Sequence, residues 1–339
     1  MSSAVYPPAN LPALTQPDFD GLVAAHQREL RTHCYRMVGS LAEAEELVQE
    51  TFWRAWDRRA TYAGRGPLRA WLYRIATNAC LDRLRQRPRR GLPRSRGPAA
   101  ALEAPIPPSV LEPVWLEPFP TDWPGPEGDE PEARYSQKES VQLAFLTALH
   151  LLPPRQRAVL ILADVLDWPA AAVAEALEQT VPAVKSALHR ARTTLAQHYP
   201  AGRQPAPPLP DADLRDRLAH YVRAWETADV DGLVALLKAD CTFSMPPIPS
   251  WYAGREVVAG LVAKTVFAGP AAGRWRLRPT PMPVNGQIGF GLYRRADAGS
   301  YEAYGVQVVT FAGPEIADII TFRVPALVAQ FGLTATLAE

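Results

Sequence analysis

The chain has no apolar run near the roughly 18 to 20 residues that cross a bilayer. Its opening, MSSAVYPPANLPALTQPDF, lacks the basic start and apolar core of a secretory signal. No membrane association is expected, and the cytoplasm is the expected location. Cysteine is scarce as well. Cys34, Cys80 and Cys241 lie far apart with no Cys-x-x-Cys pair, so neither a disulfide framework nor a zinc site is expected, and no residue set calls for a metal or other cofactor. Net charge is almost absent, at +1. Spread evenly, that balance would argue against nucleic acid, but it is segregated. Thirteen arginines fall between Arg54 and Arg96 against Asp57 and Asp82, whereas Ala101 to Ala133 holds eight acidic residues and no basic one.

A length of 339 residues exceeds one ordinary core, so two or three domains are expected. Helical spacing runs from about 18 to 88, through Phe19, Leu22, Val23 and His26, then Leu30, Cys34 and Met37, with a break at Gly39-Ser40. Ser40 is a natural cap for a helix whose Leu41, Ala44, Leu47, Val48, Thr51, Phe52 and Ala55 form one apolar stripe. A third helix follows Gly64-Arg-Gly-Pro67, with Trp71, Leu72, Ile75, Ala79 and Leu84 as its buried set. From 89 to 132 proline, glycine and acids replace periodicity, the composition of a linker with little apolar surface to bury. Helices resume over 133–199, and a short proline-rich linker, 200–210, leads into a last domain, 211–339. That domain reads as α+β: helices from Leu214 and from Val230 to Lys238, then strands near Cys241–Met245, Arg274–Arg278, Gln287–Arg294, Tyr304–Phe311 and Glu315–Val324. Strands after paired helices suggest a curved antiparallel sheet wrapped on helices.

Three patterns carry chemistry. The first, from Trp168 to Arg192, has the layout of a helix-turn-helix, with one helix ending near Leu177 and the next starting near Val181. In the second helix Val184, Ala187, Leu188 and Ala191 face inward. Pro182, Ala183, Lys185, Ser186, His189, Arg190 and Arg192 are then free to face a major groove, and Thr180 supplies the cap. The second pattern is the arginine-rich third helix. Arg65, Arg69, Arg83, Arg85 and Arg87 suit phosphates, while Asn78 and Asp82, four apart, suit base edges in an opened strand. The third is the acidic face of the second helix, Glu46, Leu47, Gln49, Glu50 and Trp53. An outward tryptophan beside carboxylates suits a protein partner.

Together these motifs resemble the extracytoplasmic-function (group IV) branch of the sigma-70 family of RNA polymerase sigma factors. The resemblance rests on Ala-Glu-Glu-Leu-Val-Gln-Glu-Thr-Phe-Trp-Arg-Ala-Trp56, on Leu-Arg-Ala-Trp-Leu-Tyr-Arg-Ile-Ala-Thr-Asn-Ala-Cys-Leu-Asp82, and on Leu-Pro-Pro-Arg-Gln-Arg-Ala-Val-Leu-Ile-Leu162. It implies two all-α sigma domains: region 2, which docks residues 43 to 56 on the β′ clamp of core polymerase and opens the −10 element with 62 to 87, and region 4, which reads the −35 element with 178 to 192. Glu178 stands where many relatives have glycine in the helix-turn-helix turn. The acidic linker, with Val-Trp-Leu-Glu-Pro-Phe-Pro120, is expected to thread basic polymerase channels.

The last domain resembles the SnoaL-like, or nuclear-transport-factor-2-like, fold through Tyr221-Val-Arg-Ala-Trp-Glu-Thr-Ala-Asp-Val-Asp-Gly-Leu-Val-Ala-Leu-Leu237 and Phe243-Ser-Met-Pro-Pro-Ile-Pro-Ser-Trp-Tyr-Ala-Gly-Arg255. The resemblance implies a cone with an apolar cavity for a small apolar ligand, lined by Trp225, Phe243, Met245, Trp251, Tyr252, Trp275, Tyr293 and Tyr304. His220 is the domain's one histidine and lies before any strand, so no acid/base pair for catalysis is visible and no enzyme is expected. The expected role is promoter-specific initiation, modulated in cis by the last domain. The alternative is a SnoaL-like enzyme or ligand sensor tethered to a DNA-binding regulator that acts without polymerase.

Overall fold

The computed structural model describes residues 16–59, 62, 68–85, 89–112, 114–121, 142–199, 211–268, 273–296 and 299–338. Its contacts divide into two compact units, 1–89 with 148–199, and 90–147 with 200–339.

In the first unit, helix α1 (Gln16–Val38) ends at Gly39, whose φ of 75° reverses the chain where a side chain would strain it. Ser40 then caps α2 (Leu41–Asp57), its Oγ accepting the Glu43 N–H at 3.3 Å, and all seven residues of the expected stripe are buried. Helix α3 (Leu68–Leu84) buries Trp71, Leu72, Ile75 and Ala79 as expected, together with Tyr73, Thr77 and Cys80, while Leu84 remains half-exposed. Helix α4 (Leu143–Leu149) begins in the second unit and ends in the first, where α5 (Pro154–Leu160) runs into a π-turn at Ile161–Val165 and α6 (Ala170–Ala176) precedes α7 (Val181–His198). Glu178, in the turn between α6 and α7, has φ 52°. A left-handed residue with a Cβ costs roughly 1–2 kcal/mol, whereas glycine gives back about 0.5–1 through its freer unfolded chain. Glu178→Gly is therefore expected to raise stability by about 0.5–1 kcal/mol in urea melts; a lower midpoint at unchanged slope would show that the turn is not strained.

The two helical sets of this unit meet at the C-terminus of α1, where the last carbonyls lack helical partners. Arg157 Nη1 donates to the Met37 carbonyl, and its Nη2 donates to those of His150 (3.1 Å) and Leu152 (3.3 Å). His150 Nε2 lies 3.1 Å from the Arg36 carbonyl, and Trp168 packs edge-on against Tyr73 with ring centres 5.8 Å apart. Arg157 is buried, and burial chiefly lowers its pKa to about 9, which leaves it charged at neutral pH.

The second unit holds β1 (Leu237–Ser244), β2 (Trp251–Ala253), β3 (Trp275–Pro279), β4 (Ile288–Arg295), β5 (Tyr301–Ala312), β6 (Glu315–Phe322) and β7 (Thr336–Leu337). The sheet order is β2-β1-β6-β5-β4-β3, with β7 on β5. The expected purely antiparallel sheet is corrected at one seam, because β1 and β6 run parallel. The long crossover through β2 to β5 returns the chain to lie beside β1 in the same direction. Helices α8 (Asp211–Thr227), α9 (Val230–Val234) and α10 (Arg255–Thr265) supply Tyr221, Trp225, Leu233, Val258 and Val262 to the core. The helix expected to reach Lys238 stops at Val234, and Leu237 already belongs to β1; an apolar Leu-Leu pair does not separate helix from strand by pattern alone. A last short helix, α11, spans Leu327–Gln330.

The segment after Arg89 is not bare chain. Gly91 N–H donates to the Val114 carbonyl (2.9 Å) and Leu116 N–H to the Gly91 carbonyl (3.0 Å), closing a small loop around Trp115. Ala100 N–H reaches the Trp251 carbonyl (2.8 Å), Val110 N–H the Pro247 carbonyl (2.9 Å), and Phe119 exchanges hydrogen bonds with Asn285. Val114, Trp115, Leu116 and Phe119 are buried. Proline-rich composition concealed them because the short Val114–Leu116 run and Phe119 are bounded by prolines and Glu117, so no window shows a period. Of the eight acids, Glu103, Glu112 and Glu117 are described, and the remainder of the acidic run lies outside the described residues.

Candidate polymerase and promoter interfaces

On α2, Trp53 stands 68% exposed, the outward position that its spacing implied. Glu46 and Glu50 share that side of the helix and are tied down. Arg83 Nη1 donates to Glu46 Oε2 at 3.0 Å, and Arg54 Nη2 to Glu50 Oε1 at 2.6 Å. Gln49 is exposed. Leu47 differs, being fully buried in the helical core, so it positions the face rather than belonging to it. Its inclusion among surface residues is corrected by the stripe to which it belongs.

Helix α3 and the turn after it present Arg69, Asp82 and Arg85 to solvent, with Asn78 and Arg83 half-buried. Arg69 Nε donates to Glu29 Oε2 (2.8 Å) while its guanidinium lies 5.0 Å from the centre of the Tyr73 ring. Asp82 lies between Arg54 (3.8 Å) and Arg85 (3.4 Å). Arg65 and Arg87 fall outside the described residues. In α7, Thr180 caps through the Ala183 N–H (3.3 Å), and Val184, Ala187 and Ala191 are buried. Pro182, Ala183, Lys185, Ser186, His189, Arg190 and Arg192 are all exposed. Arg190 donates to Ser186 Oγ (2.6 Å), and Arg192 makes a two-point contact with Asp164 at 3.0 and 2.7 Å.

In the sheet unit a cavity of about 220 Å³ is lined by five of the eight expected aromatic and methionine positions, Trp225, Phe243, Met245, Trp275 and Tyr304. The other three are elsewhere. Tyr252 is core, Tyr293 donates its hydroxyl to the Thr334 carbonyl (2.8 Å), and Trp251 gives its indole N–H to the Gly97 carbonyl (2.9 Å) beneath Arg94. Leu292 lines the cavity, and strand alternation turns its neighbour Tyr293 to the other face of β4. Sequence reasoning missed Arg157, His150 and Trp168 as joint residues, and Ile106, Thr321 and Arg323 as cavity residues. Only the isolated Arg157 beside an apolar run carried any signal.

Among the described residues no helix is long and apolar enough to cross a membrane, and no group of three His, Cys, Asp or Glu side chains is placed to hold a metal. Residues 22–90 match Sigma-70 region 2, and 142–195 match Sigma-70, region 4. The ECF RNA polymerase sigma factor SigG of Mycobacterium tuberculosis is 40% identical over 324 residues, covering 94% of this chain and 85% of that protein. SigJ of the same species is 29% identical over 223 residues, covering 65% of this chain and 62% of SigJ. The crystal structure of SigJ aligns with 93% of this chain and 99% of its own at 21% identity and a TM-score of 0.57, so the likeness extends through the sheet domain at the level of fold. The chain belongs to the extracytoplasmic-function family of RNA polymerase sigma factors.

Proposed function

We propose that α2 meets the clamp of core polymerase through Glu46, Gln49, Glu50 and Trp53, that α3 opens and reads the −10 element, and that α7 reads the −35 element through Lys185, Ser186, His189 and Arg190, in the compartment where the polymerase works, the cytoplasm. The observation that supports this reading best is the outward face of α7. Every residue assigned to it is solvent-exposed, while the alternating Val184, Ala187 and Ala191 are buried. The C-terminal domain adjusts this activity in cis.

The packing of the helical unit adds a condition. The two promoter elements are separated by about 25 base pairs, roughly 85 Å of B-form duplex, yet the region 4 residues Arg157 and Trp168 touch α1 and α3 directly. Both elements therefore become readable only after this joint opens, and the polymerase supplies the free energy to open it. Trp168 is half-buried and outside the helix-turn-helix core, so Trp168→Ala loosens the joint with little harm to either half. The expected result is about ten-fold tighter binding to core polymerase, if the lost contact is worth about 1.4 kcal/mol, and stronger run-off transcription from a promoter library. Weaker or unchanged binding would show that polymerase does not open this joint; absence of promoter-selective transcripts from the unaltered chain would remove the promoter assignments themselves.

A further inference from the structure

The cavity of the sheet domain is apolar over most of its wall, but Arg323, Tyr304 and Thr321 also line it. Arg323 lines it with its Nε buried and without a hydrogen-bond partner, and among the described residues its guanidinium makes no ion pair. That guanidinium lies 5.2 Å from the centre of the Tyr304 ring, and Tyr304 also lines the cavity. The third donor follows from a chain of hydrogen bonds. Tyr221 donates its hydroxyl to Gln307 Oε1 (2.7 Å), which fixes the amide so that Gln307 Nε2 donates to Thr321 Oγ1 (2.9 Å). Thr321 thus uses its oxygen as an acceptor there and keeps its proton for a group in the cavity. No carboxylate lines the space. A buried donor left unpaired is costly, and three donors without a facing acid define a site for an acceptor with negative charge.

The segment that follows region 2 also reaches the cavity. Ile106 lines the cavity from Ala104-Pro-Ile-Pro-Pro108, where flanking prolines hold the backbone extended. The segment is pinned on both sides of it, by Ala100 and Gly97 to Trp251, and by Val110 to the Pro247 carbonyl. Leu102 sits so close to Gly260 that a Cβ there would fall 2.6 Å from its Cδ2, so α10 leaves a notch for this strap.

We propose that this cavity binds a small apolar carboxylate, its head held by Arg323, Thr321 and Tyr304 and its tail walled in by Ile106, so that the ligand and the docked strap stabilise each other. A space of about 220 Å³ lies below the roughly 300–1,000 Å³ of drug-sized sites, which restricts the tail to a medium chain or one or two fused rings. Because the strap is the chain between regions 2 and 4, occupancy sets how much of that chain is free when polymerase separates them. This consequence rests on the promoter reading above, whereas the binding does not.

The test uses the full chain and a probe series of hexanoate, octanoate, decanoate and 2-naphthoate, with 1-octanol as the uncharged counterpart, read by calorimetry. Thermolysin cleavage within residues 97–112 reports strap docking. The expected result is saturable binding of at least one carboxylate, tighter than 1-octanol by about ten-fold or more, with slower cleavage of the strap when it is bound. Arg323→Met should remove the preference over 1-octanol, and Thr321→Val, nearly isosteric, should reduce it without unfolding the domain. Ile106→Asp should weaken both probes and speed cleavage. If no carboxylate in the series binds, if 1-octanol binds as well, or if ligand leaves the cleavage rate unchanged, the proposal is overturned. None of these readouts involves polymerase, so such a failure leaves the promoter assignments standing.

Discussion

Replacing Trp53 by alanine is expected to lower the affinity for core polymerase by about 100-fold while leaving the thermal midpoint of the free protein nearly unchanged. A tryptophan offers roughly 150–250 Å² of surface, and Trp53 is 68% exposed, so well over half of that area remains to be buried by a partner. At about 25 cal/mol per Å² this amounts to roughly 3 kcal/mol, in the range of an interface hot spot and equivalent to about two orders of magnitude in Kd. The same exposure is why folding should not suffer: the α2 stripe that packs against the rest of the unit contains Leu47, Val48, Phe52 and Ala55 but not Trp53. Glu50 is held by Arg54 on the same face, so Glu50→Gln should cost much less, since exposed ion pairs contribute about 0–1 kcal/mol. Titrating labelled core polymerase with both variants separates the two effects. Equal affinity for the wild type and Trp53→Ala would move the polymerase contact off this face.

The difference between those two residues also shows what was legible in the sequence. A tryptophan at the one position that breaks a heptad-like apolar stripe can be read as exposed, because the stripe itself fixes the buried side of a helix. The same reasoning placed the seven buried residues of α2, the cap residues Ser40 and Thr180, and the outward residues of α7. The turn at Glu178 was legible only through the resemblance, which puts glycine there in many relatives; the structure keeps the left-handed backbone with a glutamate in it. What pattern does not encode is contact between elements far apart in sequence. Arg157 reaches the Met37 carbonyl across 120 positions, and its partners are backbone atoms, which leave no trace in residue types. Ile106 and Arg323 likewise meet only through the folded sheet, and strand alternation places Tyr304 on a face without showing what covers that face. The seam between β1 and β6 was missed because strand direction depends on the path of the crossover and not on the strand's own residues.

A buried histidine, which no sequence pattern singled out, makes the helical unit sensitive to acid. His33 Nε2 lies 2.8 Å from Thr77 Oγ1, and the Thr77 hydroxyl already donates to the Tyr73 carbonyl at 2.7 Å. Thr77 can therefore only accept from the ring, so the proton is on Nε2 and Nδ1 is a bare acceptor. Nδ1 is buried with no partner, and a second proton there would have nowhere to donate. Burial first, and then the charges of Arg36 and Arg69, hold the His33 pKa down to about 3 from the usual 6.5. Between those values the unfolded chain carries a proton that the folded chain refuses. Stability therefore rises with pH across this window and is lost as pH falls from about 6.5 toward 3, by about 1.4 kcal/mol per unit. On that slope, roughly 2 kcal/mol should disappear between pH 6.5 and 5, a large share of the 5–15 kcal/mol typical of a domain. Urea melts at successive pH values should show this slope for the wild type, and His33→Gln, which keeps a donor toward Thr77 but does not titrate, should flatten it even if its own midpoint is lower. An identical slope in both proteins would assign the acid sensitivity to other groups.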